Sequence, residues 1–302
     1  MSKRIGLKKL EPQVTRTTMT GKRQTALVTG ASSGIGWETA KRLAREGYWV
    51  IAAARRLDRL EALAREVEGI TPKAFDLSIP ESVEAFCRYL FELQEPVGIL
   101  VNNAGYSIRG VLEGQSVDSI RRLFQVNVFS LIRITQSCLP GMRKQRAGTI
   151  INVSSLVGKV TNPMNGAYAA SKHAVEAISD ALRLELRPFG IRVVTIRPGP
   201  VATEFHTVAQ QWDQTQGQMI EDYVPVLEAA GKATKAMLGA LQMAMAEDAA
   251  RIIVEAILSD SPSAAYTVGP LVEDMLAERK QLSDDAFNQR MAERMGLSGL
   301  KV

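Results

Sequence analysis

Short apolar runs alternate with longer segments of helical periodicity along most of the chain. The runs predict seven strands, at TALVTG (25–30), YWVIAAA (48–54), KAFDL (73–77), GILVNN (98–103), GTIINVSS (148–155), IRVVTIRPG (191–199) and AAYTVG (264–269). Most runs are continuously apolar, which is typical of strands covered on both faces. The segments between them predict helices that begin near Ile35, Leu57, Pro80, Ser116, Tyr168 and Glu247. This order predicts an α/β fold, a doubly wound parallel sheet of the Rossmann type.

One region, residues 204–246, interrupts the alternation before the last predicted strand. It is helical in pattern and rich in large apolar side chains, namely Phe205, Trp212, Met219, Tyr223, Met237, Met243 and Met245. We predict a helical insertion that is either a lid over an apolar substrate or an ordinary hairpin packed on the core or on a partner chain. Without a repeat or a Gly/Ser linker, we predict one domain over 24–270 and a charged, helical, peripheral tail over 271–302.

Composition excludes several classes of protein. The chain has 302 residues, of which 46% are hydrophobic, and it contains two cysteines and two histidines. So few sulfur and imidazole groups, without a CxxC or HExxH pattern, argue against a disulfide framework and against a metal site. No run approaches the ~20 apolar residues of a membrane span. We therefore expect a cytoplasmic protein without a bound metal.

The net charge of +5 is concentrated at the amino terminus. Residues 1–23 carry seven basic side chains and one acidic one, which leaves 30 basic and 31 acidic residues in 24–302. The body is therefore neutral and does not indicate nucleic-acid binding. We interpret residues 1–23 as a flexible basic extension. A targeting segment, or a contact with a membrane or a nucleic acid, is the alternative, and deletion of 1–23 would test binding by this segment.

The stretch VTGASSGIGWETA (28–40) predicts a strand, a glycine-rich turn and a helix. Gly30, Gly34 and Gly36 are spaced so that the backbone can turn sharply and approach a pyrophosphate. The helix that follows directs its N–H groups and its positive dipole end toward that phosphate. A tight strand-to-helix turn without a ligand is the alternative. If the turn binds a dinucleotide, Ser32, Ser33 and Ile35 contact the cofactor with the glycines.

The end of the second predicted strand indicates which cofactor is bound. An NAD site usually has an acidic residue there, about 20 residues beyond the glycines, but this chain has Ala54 followed by Arg55 and Arg56. A guanidinium without a competing carboxylate favours a 2′-phosphate, so the pattern predicts NADP(H). Asp76 is placed to accept a hydrogen bond from the adenine amino group or to cap a turn.

Tyr168 and Lys172 are four residues apart in GAYAASKHAVEAISDALRLELRPFG (166–190). Residues at this spacing share a helix face, with Cβ atoms about 5–6 Å apart. A nearby ammonium and the positive nicotinamide favour phenolate and lower the phenol pKa, which makes Tyr168 a usable acid/base. A buried ring beside a lysine stem is the alternative.

Six motifs together resemble the short-chain dehydrogenase/reductase family, in its steroid- and retinol-dehydrogenase-like branch. They are TGASSGIG (29–36), NNAG (102–105), Asn127 in FQVNVFS, NVSS (152–155), YAASK (168–172) and RPGPVAT (197–203). The resemblance implies catalytic roles for Asn127, Ser155, Tyr168 and Lys172, and Lys172 would also bind the nicotinamide ribose. Ser154 is the neighbouring candidate, but adjacent strand residues face opposite sides, and the 13-residue distance to Tyr168 favours Ser155.

The same resemblance implies further cofactor contacts, at Asn103, Ala104, Gly105, Pro198, Gly199, Val201 and Thr203. We interpret His173 and His206 as surface or packing residues, with His206 the better candidate for a substrate contact. The implied activity is an NADP(H)-dependent oxidoreductase that acts on an apolar ketone, aldehyde or secondary alcohol. A catalytically idle NADP-binding regulator or scaffold is the alternative. Small residues on several faces of the helix after Tyr168 predict a homodimer or homotetramer.

Overall fold

The computed structural model describes residues 23–205 and 220–301. Its centre is a sheet of seven parallel strands, β1 (Thr25–Thr29), β2 (Trp49–Ala54), β3 (Ile70–Ala74), β4 (Val97–Asn102), β5 (Gly148–Val153), β6 (Ile191–Pro198) and β9 (Ala265–Val268). The spatial order is β3-β2-β1-β4-β5-β6-β9. Two short strands, β7 (Val201–Ala202) and β8 (Ala244–Met245), pair with each other beside this sheet.

The helices follow the strands in sequence and cover both faces of the sheet. They are α1 (Gly34–Arg45), α2 (Leu57–Glu66), α3 (Pro80–Phe91), α4 (Val117–Phe124), α5 (Ser130–Gln145), α6 (Gly166–Leu186), α7 (Val224–Gly239), α8 (Ala246–Leu258), α9 (Val272–Gln281) and α10 (Asp284–Arg294). The six predicted helix starts are confirmed to within two residues. The helix predicted from Ser116 continues from α4 into α5 through a π-helical segment, Gln125–Phe129.

The doubly wound sheet is confirmed, and the seven predicted strands are present. The third strand was predicted too late, because it runs over Ile70–Ala74 and not over 73–77. Pro72, which looks like a turn signal, lies inside this strand. β3 is at the edge of the sheet, where a proline costs no internal ladder hydrogen bond.

Two hydrophobic cores explain why the strands are apolar on both faces. On β1, Val28 packs in the core that includes Ile253 of α8, whereas Leu27 packs in the core that includes Phe86 of α3 and Ile134 of α5. Side chains alternate along a strand, so a strand between two helical layers needs apolar residues at every position.

The strand order reverses at β1, which lies between β2 and β4. The connection from β1 leads toward β2 on one side, and the chain returns to β4 on the other. Doubly wound sheets bind ligands at this position, outside the carboxyl ends of the strands.

The carboxyl-terminal helices close one end of that crevice. Val272 and Met275 of α9, together with Phe287 and Met291 of α10, form a buried cluster with Leu156, which follows β5. The segment predicted as a peripheral tail is therefore helical and packed against the loop beyond β5.

Candidate active site

A cavity of about 480 Å³ opens at the carboxyl ends of the strands. One half of its wall is the glycine turn after β1 with the ends of β2 and β4. The other half is the start of α6, the loop after β5, residues of α7 and α9, and Met295, which directly follows α10. We call these the cofactor half and the substrate half of the cavity.

The glycine turn leaves no room for side chains at its glycine positions. Gly30 and Gly34 have φ angles of 68° and 55°, in the region that favours glycine. A Cβ on Gly36 would lie 2.4 Å from the Gly30 carbonyl oxygen. Ser33 precedes α1 without capping it through its side chain, and Gly34 and Ile35 at the start of the helix line the cavity. This cradle fits the pyrophosphate of a dinucleotide.

The two arginines after β2 occupy different positions. Arg55 is exposed at the cavity wall. Arg56 donates to the Ser32 hydroxyl at 3.1 Å and to the Ser33 hydroxyl at 2.8 Å. A guanidinium therefore lies directly against the glycine turn.

Asp76 lies on the same side of the cavity, where it stabilises a turn. Its Oδ1 accepts from the Ser78 amide at 2.8 Å and from the Ser78 hydroxyl at 2.7 Å. The turn-capping alternative is thus present in the structure, and the carboxylate also lines the cavity.

The turn after β4 is fastened to β1. The Asn103 side-chain amide donates to the Thr29 carbonyl at 2.9 Å, and the Ala104 amide donates to the Thr29 hydroxyl at 3.1 Å. A Cβ on Gly105 would lie 3.1 Å from Asn127 Oδ1 and 3.5 Å from Lys172 Nζ. This turn therefore forms the floor between the two halves.

Tyr168 and Lys172 are both buried on one face of α6. Lys172 Nζ donates to the Val153 carbonyl at the end of β5, at 2.8 Å, and lies 5.9 Å from the centre of the Tyr168 ring. The strand end thus fixes the ammonium beside the phenol.

Burial dominates the electrostatics of this pair. It raises the pKa of Tyr168 to about 12, while a hydrogen bond with Ser155 and the charge of Arg109 act in the opposite direction. Burial also lowers the pKa of Lys172 to about 8, although the nearby Glu176 carboxylate acts to raise it. The protein's own charges therefore do not lower the Tyr168 pKa in this structure, because the loss of hydration outweighs them.

The two serines after β5 lie in different surroundings. The Ser155 hydroxyl accepts from the Val157 amide at 3.3 Å, caps a short 3₁₀ turn and interacts with Tyr168. A Cβ on Gly158 would lie 2.5 Å from Ser154 Oγ, a buried atom without a hydrogen-bond partner among the described residues. The geometry favours Ser155 as the serine of the site.

Asn127 lies in the π-helical segment between α4 and α5 and is almost fully buried. Its Oδ1 accepts from the Tyr106 amide at 3.1 Å, and its Nδ2 donates to the Tyr106 carbonyl at 2.9 Å and to the Ser171 hydroxyl at 3.0 Å. The extra residue per turn of such a segment aims this amide at α6.

The loop after β6 closes over the cofactor half. Gly199 donates its amide to the Val268 carbonyl at 2.9 Å, Pro198 lines the cavity and Val201 is buried in the short β7 strand. A Cβ on Gly34 would lie 3.0 Å from Thr203 Cγ2, so Thr203 sits against the glycine turn.

The substrate half is largely apolar and comes from distant parts of the chain. The Phe205 ring lies 5.9 Å from the Tyr168 ring. Other apolar side chains of this wall are Leu156, Val157, Met164, Met237, Leu238, Leu271, Met275 and Met295. Sequence reasoning missed Arg109, Met275 and Met295, because no local motif connects them to Tyr168.

A buried ion pair, also absent from the sequence predictions, lies behind Lys172. Glu176, one helical turn further along α6, accepts from Arg197 of β6 at 2.9 and 2.7 Å and lies 3.3 Å from Lys159. The i, i+4 repeat of Tyr168, Lys172 and Glu176 is the signal that could have identified it.

The remaining candidates contribute little to this picture. His173 is exposed, with Nδ1 2.9 Å from the Ala169 carbonyl. His206, Trp212 and Met219 lie outside the described residues, as do residues 1–22. Within the described ranges, three or more potential metal ligands do not come together. A search of those ranges also finds no helix with the length and apolar character to cross a bilayer.

The comparisons with known proteins agree with this geometry. A family model described as short chain dehydrogenase matches residues 24–214. The chain belongs to the short-chain dehydrogenase family. It is 34% identical over 253 residues to the "Probable short-chain type dehydrogenase/reductase VdlC" of Helicobacter pylori, which covers 83% of this chain and 90% of that protein. It is also 39% identical over 188 residues to human retinol dehydrogenase 8, 60% of each chain.

Solved structures of other short-chain dehydrogenases share the fold. One from Streptomyces avermitilis has a TM-score of 0.75 at 27% identity, over 91% of this chain and 97% of that one. One from Sphingobium yanoikuyae, in complex with NADPH, has a TM-score of 0.68 at 28% identity, over 92% of this chain and 96% of that one. This chain is therefore an oxidoreductase of a family that uses a nicotinamide cofactor.

Proposed function

We propose that this short-chain dehydrogenase transfers a hydride between NADP(H) and an apolar ketone, aldehyde or secondary alcohol, with Tyr168 as the acid/base. The observation that carries the proposal is one cavity in which a glycine cradle, Ser155, Tyr168 and Lys172 come together. The nicotinamide, when bound, supplies or accepts the hydride.

The cofactor half would hold the dinucleotide through backbone and short side chains. The glycine turn fits the pyrophosphate, Asn103, Ala104 and Gly105 form the floor, and Thr203 with the Pro198–Val201 loop closes the other side. Lys172 reaches the same floor, since its Nζ is 3.5 Å from a Cβ placed on Gly105. This supports its second role at the nicotinamide ribose.

The proton chemistry would belong to α6 and to the loop after β5. Ser155 orients the substrate oxygen, and Tyr168 donates a proton to it or removes one. Because burial raises the Tyr168 pKa to about 12, the phenol is protonated near neutral pH, which is the form that carbonyl reduction requires. Alcohol oxidation requires phenolate and should accelerate as the pH rises.

The substrate half supports an apolar substrate. Its wall near Tyr168 is built mainly from aliphatic, methionine and phenylalanine side chains. Burial of an apolar surface is worth about 25 cal/mol per Å², so this wall favours a carbonyl compound with a large apolar body.

The test of this function is turnover. We expect purified protein to oxidise NADPH in the presence of apolar ketones or aldehydes, and to reduce NADP⁺ with the matching alcohols. Binding of NADPH without oxidation across a broad carbonyl panel would instead support an idle NADP-binding regulator or scaffold.

Cofactor choice has its own test at Arg55. A charge-assisted hydrogen bond contributes about 1.5–3 kcal/mol, or roughly 10- to 150-fold in affinity. We expect Arg55→Ala to raise the KM for NADPH within that range and to leave NADH nearly unchanged. Equal use of NADH and NADPH by the wild type would contradict the preference.

We also propose a homodimer or homotetramer that uses α6. This helix exposes small and apolar side chains, including Ala170, Ala177, Ala181 and Leu184, the last with 73% of its surface exposed. Such a face can pack against a symmetry-related copy. Light scattering at micromolar concentration should give a mass above that of one chain, and a strictly monomeric mass would contradict this arrangement.

A further inference from the structure

An ion pair joins the loop after β6 to the start of α2, across the cofactor half of the cavity. Glu204 follows Thr203 directly. Its carboxylate accepts from Arg56 at 3.0 Å and from Arg59 at 2.7 and 2.9 Å. Glu204 is 148 residues from Arg56 and 145 residues from Arg59 in sequence.

Arg56, one of the two arginines that hold Glu204, also contacts the glycine turn of the cofactor half. Arg56 donates through Nε and Nη2 to the Ser32 and Ser33 hydroxyls of the glycine turn. Its remaining nitrogen, Nη1, donates to Glu204. The Glu204 carboxylate thus occupies the guanidinium nitrogen that an anion bound beside the glycine turn would use.

From this arrangement we infer that Glu204 is an internal competitor for the 2′-phosphate of NADP(H) and sets how strongly the enzyme prefers that cofactor. The inference rests on the proposed preference for NADP(H). Glu204 binds the same guanidinium groups as the phosphate would, and it must move away from Arg56 when the phosphate binds there.

The charges favour this exchange. A phosphate monoester carries about −1.5 to −2 charges at pH 7, whereas a carboxylate carries one. Hydrogen bonds from Arg59 and Arg56 lower the Glu204 pKa, so the carboxylate remains ionised and competes at neutral pH. The Arg56, Arg59 and Glu204 side chains are 38%, 41% and 48% exposed, and exposed ion pairs are weak enough to be displaced.

Cofactors that lack the 2′-phosphate should not be affected. NAD(H) has a neutral 2′-hydroxyl in place of the phosphate, and a neutral hydroxyl does not displace the Glu204 carboxylate from the arginines. Glu204 therefore lowers the affinity for NADP(H) selectively and reduces the ratio of the two affinities.

Calorimetric titration of the cofactor-free protein tests the inference without turnover. Adenosine 2′,5′-bisphosphate and 5′-AMP serve as probes, because they differ only in the 2′-phosphate. We expect Glu204→Gln to bind the bisphosphate about 5- to 30-fold more tightly, which corresponds to roughly 1–2 kcal/mol, with 5′-AMP changed less than about twofold.

Asp58→Asn is the matched control. Asp58 is an exposed carboxylate in the first turn of α2, close in sequence to both arginines. Its removal changes the net charge by the same amount, but we expect the affinity for the bisphosphate to change less than about threefold. An equal gain in the control would overturn the inference, because general charge would then explain the effect.

Other outcomes separate this inference from the function on which it rests. If the wild type prefers the bisphosphate but Glu204→Gln binds it no better, or more weakly, the inference that Glu204 competes with the 2′-phosphate is wrong. The proposed preference for NADP(H) would then stand. If neither the wild type nor Glu204→Gln distinguishes the bisphosphate from 5′-AMP, both are wrong.

Discussion

The two halves of the cavity are built in different ways. The cofactor half is formed by strand ends and a glycine turn, and hydrogen bonds such as that from Asn103 to Thr29 hold its backbone in place. The substrate half is formed by side chains from separate segments, with Met164, Met237, Met275 and Met295 in its wall.

This difference predicts how each half responds to change. Backbone held between strands cannot move without disturbing the sheet, so one extra methyl group should be harmful there. Methionine side chains are unbranched and flexible and adapt to different apolar surfaces. The cofactor half should therefore be intolerant of substitution, whereas the substrate half should change its preference and keep its chemistry.

The largest effect is expected in the cofactor half, at Gly36. An alanine there would place Cβ 2.4 Å from the Gly30 carbonyl oxygen and 2.5 Å from Asn103 Nδ2, so the turn must shift. We expect Gly36→Ala to weaken NADP⁺ and NAD⁺ binding about 100-fold and to lower the free energy of unfolding by about 1–3 kcal/mol. Calorimetry and denaturant titration measure the two effects.

Gly231→Ala is the control for that substitution. Gly231 is exposed in α7, and a Cβ there would meet no described atom within 4 Å. We expect normal cofactor binding and a gain of up to about 1 kcal/mol in the free energy of unfolding. Equal cofactor binding by both alanine variants would contradict the expectation that the cofactor half is intolerant of substitution.

An intermediate effect is expected in the substrate half, at Met295. Met295→Ala removes an apolar contact from the cavity wall. For a bulky carbonyl substrate we expect KM to rise about tenfold, or ~1.4 kcal/mol, with kcat and the Kd of NADP⁺ unchanged. Met291→Ala is the control for Met295→Ala. Met291 is buried in the same cluster but is not one of the residues that line the cavity. Met291→Ala should destabilise the fold similarly and leave KM unchanged, and a matching rise in KM would indicate a nonspecific loss of packing.

The smallest effect is expected at Glu176, behind Lys172. The Glu176 carboxylate raises the Lys172 pKa against the effect of burial, which holds it at about 8. Glu176→Gln should lower that pKa further, so Lys172 loses its proton at a lower pH. The high-pH decline of carbonyl reduction should then move down by roughly 0.5–1 unit. Glu185→Gln, an exposed change on the same helix, should leave the profile in place, and an unshifted profile in Glu176→Gln would show that Glu176 only stabilises the fold.

The halves also differ in how far the sequence predicts them. The cofactor half follows from local patterns, because a strand, a glycine turn and a helix are consecutive in the chain from Thr25 to Arg45. The pairing of Tyr168 with Lys172 follows from helical spacing in the same way. Ser155 could be chosen over Ser154 by its 13-residue distance from Tyr168, and the geometry favours the same serine.

The substrate half could not be predicted, for physical reasons. Met275 and Met295 reach the cavity only because α9 and α10 pack against Leu156, and no periodicity encodes a contact over more than 100 residues. The pKa of Tyr168 was expected to fall from the nearby lysine, but it depends on burial, which a motif does not report. The role of Glu204 could not be predicted, because this residue follows β6 whereas its arginine partners follow β2.

The most direct test of the central claim is a side-by-side measurement of wild type and Tyr168→Phe. The substitution keeps the ring that packs against Phe205 and removes only the hydroxyl. We predict a kcat for NADPH-dependent carbonyl reduction about 10²–10⁴-fold lower, with the Kd of NADPH within about twofold of wild type. Tyr106→Phe, elsewhere on the cavity wall, should keep kcat within about threefold. A Tyr168→Phe protein that retains wild-type kcat would contradict the assignment of Tyr168 as the acid/base.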